Sequence, residues 1–126
     1  REEQGEHEPQ HLGRDRAAAV LRQVQLPHLV DRLDEVTDWT RRLSLGEQQR
    51  LGFARVLLVR PRVAFLDEAT SALDEGMEHT LYTLLREELP DTVIVSVGHR
   101  STLNRFHAER LELLGEGRWQ VVALSR

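Results

Sequence analysis

Apolar residues along the chain change period several times, and each change marks an element. Residues 1–14 carry no apolar period and are rich in Glu, Gln and His, so they read as a tail or loop. Asp15 is placed to cap a helix through Ala17, Val20, Leu21 and Val24 that ends near Pro27. Leu29, Val30 and Leu33 suggest a further helical turn, and Asp34 to Arg42 reads as a loop with Trp39 as a packing anchor. A longer amphipathic helix is predicted over residues 45–59, stopped by Pro61. Val63-Ala64-Phe65-Leu66 is a short apolar run ahead of Asp67-Glu68, the pattern of a strand buried on both faces. Glu75 to Leu89 repeats Leu at helical spacing and stops at Pro90, after which Thr92–Val97 forms a second buried strand. Residues 110–114 and 119–124, joined by Gly115-Glu116-Gly117, predict a terminal hairpin. The sum is an α/β plan with a helical piece in front.

Composition narrows what such a chain can do. The 126 residues amount to one domain, with 40% hydrophobic and 30% charged residues, which excludes a low-complexity or collagen-like chain. A net charge of -4 offers no basic excess for phosphate backbones, so nucleic acid is not an expected partner. Without Cys there is no thiolate site and no disulfide, and no apolar run here is long enough to cross a bilayer. All 17 basic residues are Arg. With no Lys, these residues hold neither a GxxxxGK[ST] phosphate loop nor a Lys nucleophile. The start at Arg1 rather than Met suggests a piece of something larger or a processed chain.

Three places carry candidate chemistry. Ser44 and Glu47 form a capping box that sets Ser44 at the start of the 45–59 helix. The amides and positive dipole end there suit an anion, and Gly46 permits close approach. Asp67 and Glu68 end an apolar strand, where ligands bind in open α/β sheets, and two adjacent acids can divide metal binding from water activation. His99 follows the second strand and so reaches the same sheet edge. Taken singly, each has a plain structural reading: a well-capped helix, a capping Asp beside a solvated Glu, and a packing His. His7 and His11 share a helical spacing but lack a third ligand and flank Pro9. Arg50, Arg55 and Arg60 read as a solvated helix face.

In order along the chain stand Leu43-Ser44-Leu45-Gly46-Glu47-Gln48-Gln49-Arg50, Val63 to Glu68, Ser71-Ala72-Leu73-Asp74 and Gly98-His99-Arg100. This series resembles the carboxyl-terminal half of an ABC-type ATP-binding domain, in its signature motif, Walker B, D-loop and switch histidine, over roughly Leu21 to Leu124. Trp39 before the signature, Leu45 where Gly is usual, and the Ser-Val-Gly-His-Arg segment followed by Phe106-His107 resemble the fused permease–ATPase branch. That branch includes peroxisomal fatty-acyl transporters and bacterial relatives of the peptide and cobalamin import type.

The resemblance implies a partial P-loop NTPase (RecA-like) core over residues 61–126, ending in the hairpin. Part of the ABC helical subdomain would lie in front, over residues 15–60. It implies ATP and Mg²⁺ as cofactors, with Asp67 holding Mg²⁺ through water, Glu68 polarising the attacking water and His99 contacting the γ-phosphate. Ser71, Ala72, Leu73 and Asp74 would signal between nucleotide sites. Ser44, Gly46 and Glu47 would close in trans over ATP on a second ATP-binding domain, in a head-to-tail dimer. A transmembrane permease domain fused upstream is the further implied partner, at the cytoplasmic face of a membrane such as the bacterial inner membrane. Walker A, a Q-loop Gln in context and an A-loop aromatic are missing from these residues; Gln4 and Gln10 lie in the tail. The chain alone is therefore expected to be inactive, with an apolar strand edge exposed beside Thr92–Val97. The competing readings are a DNA-repair or chromosome-maintenance ATPase, a truncated non-catalytic partner of another ATPase, and a metal-dependent hydrolase using Asp67, Glu68 and His99.

Overall fold

The computed structural model describes residues 2–124, with side chains from residue 13 onward; the side chains of Gln4, His7, Gln10 and His11 lie outside the described residues. Its elements run α1 (Glu2–Gln23), a 3₁₀ helix (Pro27–Arg32), α2 (Trp39–Arg42), α3 (Leu45–Val59), β1 (Val63–Asp67), α4 (Glu75–Glu88) and β2 (Val93–Val97). A second 3₁₀ helix (Ser101–Phe106) then leads into β3 (Glu109–Gly115) and β4 (Arg118–Ala123).

Two local expectations are corrected. The first helix begins at Glu2, so residues 2–14, read as tail or loop, are helical, and Asp15 is an interior residue instead of a cap. The sequence of that stretch has no apolar period, so nothing in its pattern marks the helix. The segment before the signature is not all loop, since Trp39–Arg42 makes one helical turn. Trp39 does anchor it, half-buried between the guanidinium groups of Arg32 and Arg42 at 5.4 and 5.8 Å from the ring centre.

α1 stops where Gln25 turns left-handed at φ 64°, with the Leu26 amide reaching back to the Leu21 carbonyl at 2.7 Å. Arg50 caps this corner from α3 by donating to the Gln25 carbonyl at 3.0 Å, and Arg60 donates to the Glu88 carbonyl at 3.1 Å. Two of the three Arg residues read as a solvated face thus reach backbone carbonyls of other elements, Arg60 the last carbonyl of α4.

β1 and β2 pair in parallel, from Val63↔Val93 to Asp67↔Val97, connected through α4. β3 and β4 form a separate antiparallel hairpin, turning through Gly115, Glu116 and Gly117, all at positive φ. The core gathers Val20 and Val24 of α1, Phe53 and Leu57 of α3, Leu81, Tyr82 and Leu85 of α4, and Leu66 and Ile94 of the parallel strands. Each such side chain, fully buried, is worth about 1.5–3 kcal/mol.

The parallel strands differ from expectation in one respect. Alternate residues are buried, but Val63, Phe65, Val93, Val95 and Val97 are exposed, Phe65 to 77%. The helices cover one face of the pair, and no described residue covers the other.

Candidate functional site

Ser44 caps α3 as its sequence requires. Its Oγ accepts from the Glu47 amide at 3.1 Å, and its own amide donates to Glu47 Oε1 at 2.9 Å. The other Glu47 oxygen meets His28 Nε2 at 2.9 Å. The Ser44 amide, and after it the His28 imidazole, hold the Glu47 carboxyl below the usual carboxylate range. Ser44 remains exposed at the helix start, while Gly46 faces the 71–74 segment: a Cβ there would lie 3.5 Å from Leu73 and 3.6 Å from the Ala72 carbonyl.

At the other end of the site the β1–β2 ladder closes with the Glu68 amide donating to the Val97 carbonyl at 2.8 Å. Glu68 then takes a left-handed φ of 52°, uncommon for a residue with a Cβ, which carries its side chain off the strand line. Its Oε1 lies 3.2 Å from His99 Nε2. His99 is 93% exposed, so the pair faces solvent with a ring nitrogen free to meet a ligand. A pocket of about 200 Å³ lies between the two loops, lined by Glu68, Thr70, Ser71, Gly98, His99 and Arg100 among others. A Cβ on Gly98 would come within 2.6 Å of a Leu103 methyl, so this turn fits only glycine without movement. Asp67 stands exposed at the strand end.

Glu68 and His99 are therefore brought together, and Ser44 and Gly46 are not in their pocket. The two halves are joined by Gln49, one helical turn into α3. Its Nε2 donates to the Glu68 carbonyl at 3.1 Å and to Ser71 Oγ at 2.9 Å, and its Oε1 accepts from the Ala72 amide at 2.9 Å. The capped helix thus grips the loop that follows the acids. Asp74 closes that loop as the N-cap of α4, accepting from the Met77 amide at 2.7 Å.

Sequence reasoning missed Gln49 and also Glu78 and Arg100. Arg100 donates to the Ser71 carbonyl at 3.2 Å and faces Glu78 at 3.5 Å. The signal for Glu78 was present. It stands in phase with Leu81, Tyr82 and Leu85, on the buried stripe of α4, where an acid needs partners. Behind the pocket, Tyr82 and His107 both bond Ser96 Oγ at 2.8 Å, and His107 Nδ1 donates to the Leu103 carbonyl at 2.7 Å. Burial pushes the Tyr82 phenol up.

The parallel strand pair thus carries an acid–histidine contact beyond its carboxyl end, in a loop gripped by a capped helix. The family model described as ABC transporter matches residues 2–71, and the chain belongs to that family. It is 55% identical over 111 residues to an ABC transporter ATP-binding protein of Haemophilus influenzae, covering 88% of this chain and 19% of that protein. It is 44% identical over 116 residues to the human lysosomal cobalamin transporter ABCD4, with the same shares of 88% and 19%. The chloroplastic ABC transporter D family member 2 of Arabidopsis thaliana is 47% identical over 97 residues, covering 75% and 14%. These D-family relatives lie in the branch that the Trp39, Leu45 and Ser-Val-Gly-His-Arg features resemble. The chain spans about a fifth or less of the length of these relatives. Among solved structures, an ABC transporter in an inward-facing conformation superposes with a TM-score of 0.62 at 24% identity, covering 86% of this chain and 42% of that one, a likeness of fold.

Proposed function

We propose that this chain is the signature-to-switch half of the ATP-hydrolysing domain of an ABC transporter, and that it couples ATP hydrolysis to transport only as part of a larger assembly. The observation that carries the proposal is the Glu68–His99 contact at the end of the parallel strands, in a loop held by the Ser44-capped helix through Gln49. Glu68 is the general base for the attacking water, and His99 orients toward the γ-phosphate and fixes the Glu68 carboxylate. Ser44, Gly46 and Glu47 lie outside that pocket, which supports a role on the nucleotide of a second ATP-binding domain, in a head-to-tail dimer. The segment Ser71-Ala72-Leu73-Asp74, gripped by Gln49 and lying beside Gly46, is the natural link between the two sites.

No group of three or more metal-ligating side chains occurs among the described residues. An exposed Asp67 nonetheless fits Mg²⁺, which takes one or two carboxylates and completes its shell with water and substrate phosphates. Bound there, the ion would neutralise charge on the phosphates.

The exposed apolar face of β1 and β2 supports the view that other segments of a longer protein cover this sheet. Alone, the chain lacks the Lys and Gly-rich cradle and does not turn over ATP. The reading places the intact protein at the cytoplasmic face of a membrane, the bacterial inner membrane. Steady-state ATPase assays of the intact transporter and of the 126-residue chain test this. The transporter is expected to hydrolyse ATP and to lose about 10²–10⁴-fold in Glu68→Gln, the range for a general base, while the chain is silent. Turnover by the chain that disappears in Glu68→Gln would overturn its inactivity; transporter turnover indifferent to Glu68→Gln would overturn the role of Glu68.

A further inference from the structure

Glu78 is 1% exposed, and its two carboxylate oxygens are shared between two loops that the backbone ladder does not join. The ladder ends at the Glu68 amide. Past it, the loop after β1 carries Glu68 and Thr70, and the segment after β2 carries His99 and Arg100 and, in the second 3₁₀ helix, Thr102. From α4 behind both, Glu78 Oε2 accepts from the Thr70 hydroxyl and Oε1 from the Thr102 hydroxyl. Arg100 approaches Oε2 at 3.5 Å while its other terminal nitrogen donates to the Ser71 carbonyl at 3.2 Å. A buried carboxylate without such partners would be strongly unfavourable, so the two loops can separate only by leaving that charge underbonded. Thr70 is two residues from Glu68, and Thr102 is three from His99. Glu78 itself bonds Thr70, Thr102 and Arg100, neither member of the Glu68–His99 pair, and does not line the pocket.

We propose that Glu78 is a positioning residue for hydrolysis: by pinning Thr70 to Thr102 and Arg100 it sets the distance between Glu68 and His99. The proposal rests on the reading of Glu68 and His99 given above. Near-attack geometry is sensitive to displacements of about 1 Å, which cost up to about a hundredfold in rate. Loosening the pin should therefore slow the chemical step more than it weakens nucleotide binding, in which His99 is one contact among several.

The test compares wild type, Glu68→Gln, Glu78→Gln and Thr102→Val in the intact transporter. Steady-state kcat and KM for Mg–ATP are measured, with kcat normalised to the sites titrated by a non-hydrolysable ATP analogue. That normalisation removes any loss due to unfolded protein. Glu68→Gln is expected to lower turnover by about 10²–10⁴-fold. Glu78→Gln and Thr102→Val are expected to lower normalised kcat by about tenfold or more with KM within about threefold of wild type. If Glu78→Gln fails to fold, Thr102→Val, which keeps the acid and removes one donor, decides alone. Wild-type normalised kcat in the folded variants, with Glu68→Gln impaired, overturns the positioning role and leaves the reading of the site standing. Turnover unaffected by Glu68→Gln overturns both.

Discussion

Ser44 holds two roles that substitution can separate. In Ser44→Ala the Glu47 amide loses the hydroxyl that accepts from it at 3.1 Å, while the backbone amide of residue 44 still donates to Glu47 Oε1. Only one half of the capping box is lost, and the cost of losing an N-cap side chain is about 1 kcal/mol, within a range of about 0.5–2. For a domain of this size that corresponds to about 4 °C in Tm. Ser44→Asp keeps an acceptor of equal capping quality. Its charge gains from the helix dipole about what it loses by standing near Glu47, each about 0.3–1 kcal/mol, so stability should stay within about 0.5 kcal/mol of wild type. The same charge would face the phosphate that Ser44 is proposed to contact, and ATPase activity of the intact transporter should fall by at least about tenfold. Urea denaturation of the chain followed by circular dichroism reads the first effect, and steady-state turnover the second. An unchanged urea midpoint in Ser44→Ala would refute the capping argument. Full activity in Ser44→Asp would show that no phosphate approaches this helix start.

Glu47 and Tyr82 carry the remaining predictions. Because the folded-state carboxyl of Glu47 is held down by the Ser44 amide and His28, its contribution to stability is present above the unfolded value of about 4.3 and is lost as pH falls through the lower folded value. Glu47→Gln should thus have a lower urea midpoint than wild type at pH 7, and the gap should shrink at pH 3; an equal gap at both would refute the coupling. Tyr82→Phe loses only the bond to Ser96 and keeps the ring stacked on Phe106 at 4.8 Å, so it should cost about 1 kcal/mol. Tyr82→Ala also removes a ring that is 1% exposed, and should cost about 3–5 kcal/mol. Equal costs in the same denaturation assay would mean that the hydroxyl, not the ring, anchors α4.

What the sequence determined by itself was whatever neighbours a few residues apart can decide. The capping box and the Pro61 stop bound α3 at Leu45–Val59, and the apolar runs before Asp67 and Gly98 lie in β1 and β2, which end at Asp67 and Val97. The ordered motifs were enough to identify the family. The start of α1 escaped because acids at a helix start leave no apolar period to read. The exposed face of β1 and β2 escaped because an apolar run records what a strand can bury, and the covering surface is not encoded within it. Only the tertiary structure decided that Gln49, an ordinary polar residue on an amphipathic helix, would hold a loop 19 to 23 residues further on. It decided likewise that Glu78 would find its donors 8 residues before and 24 residues after it. A buried polar group must be paired, and that demand can be read from its place in an apolar stripe. Which groups answer it depends on where the packed core brings distant loops together.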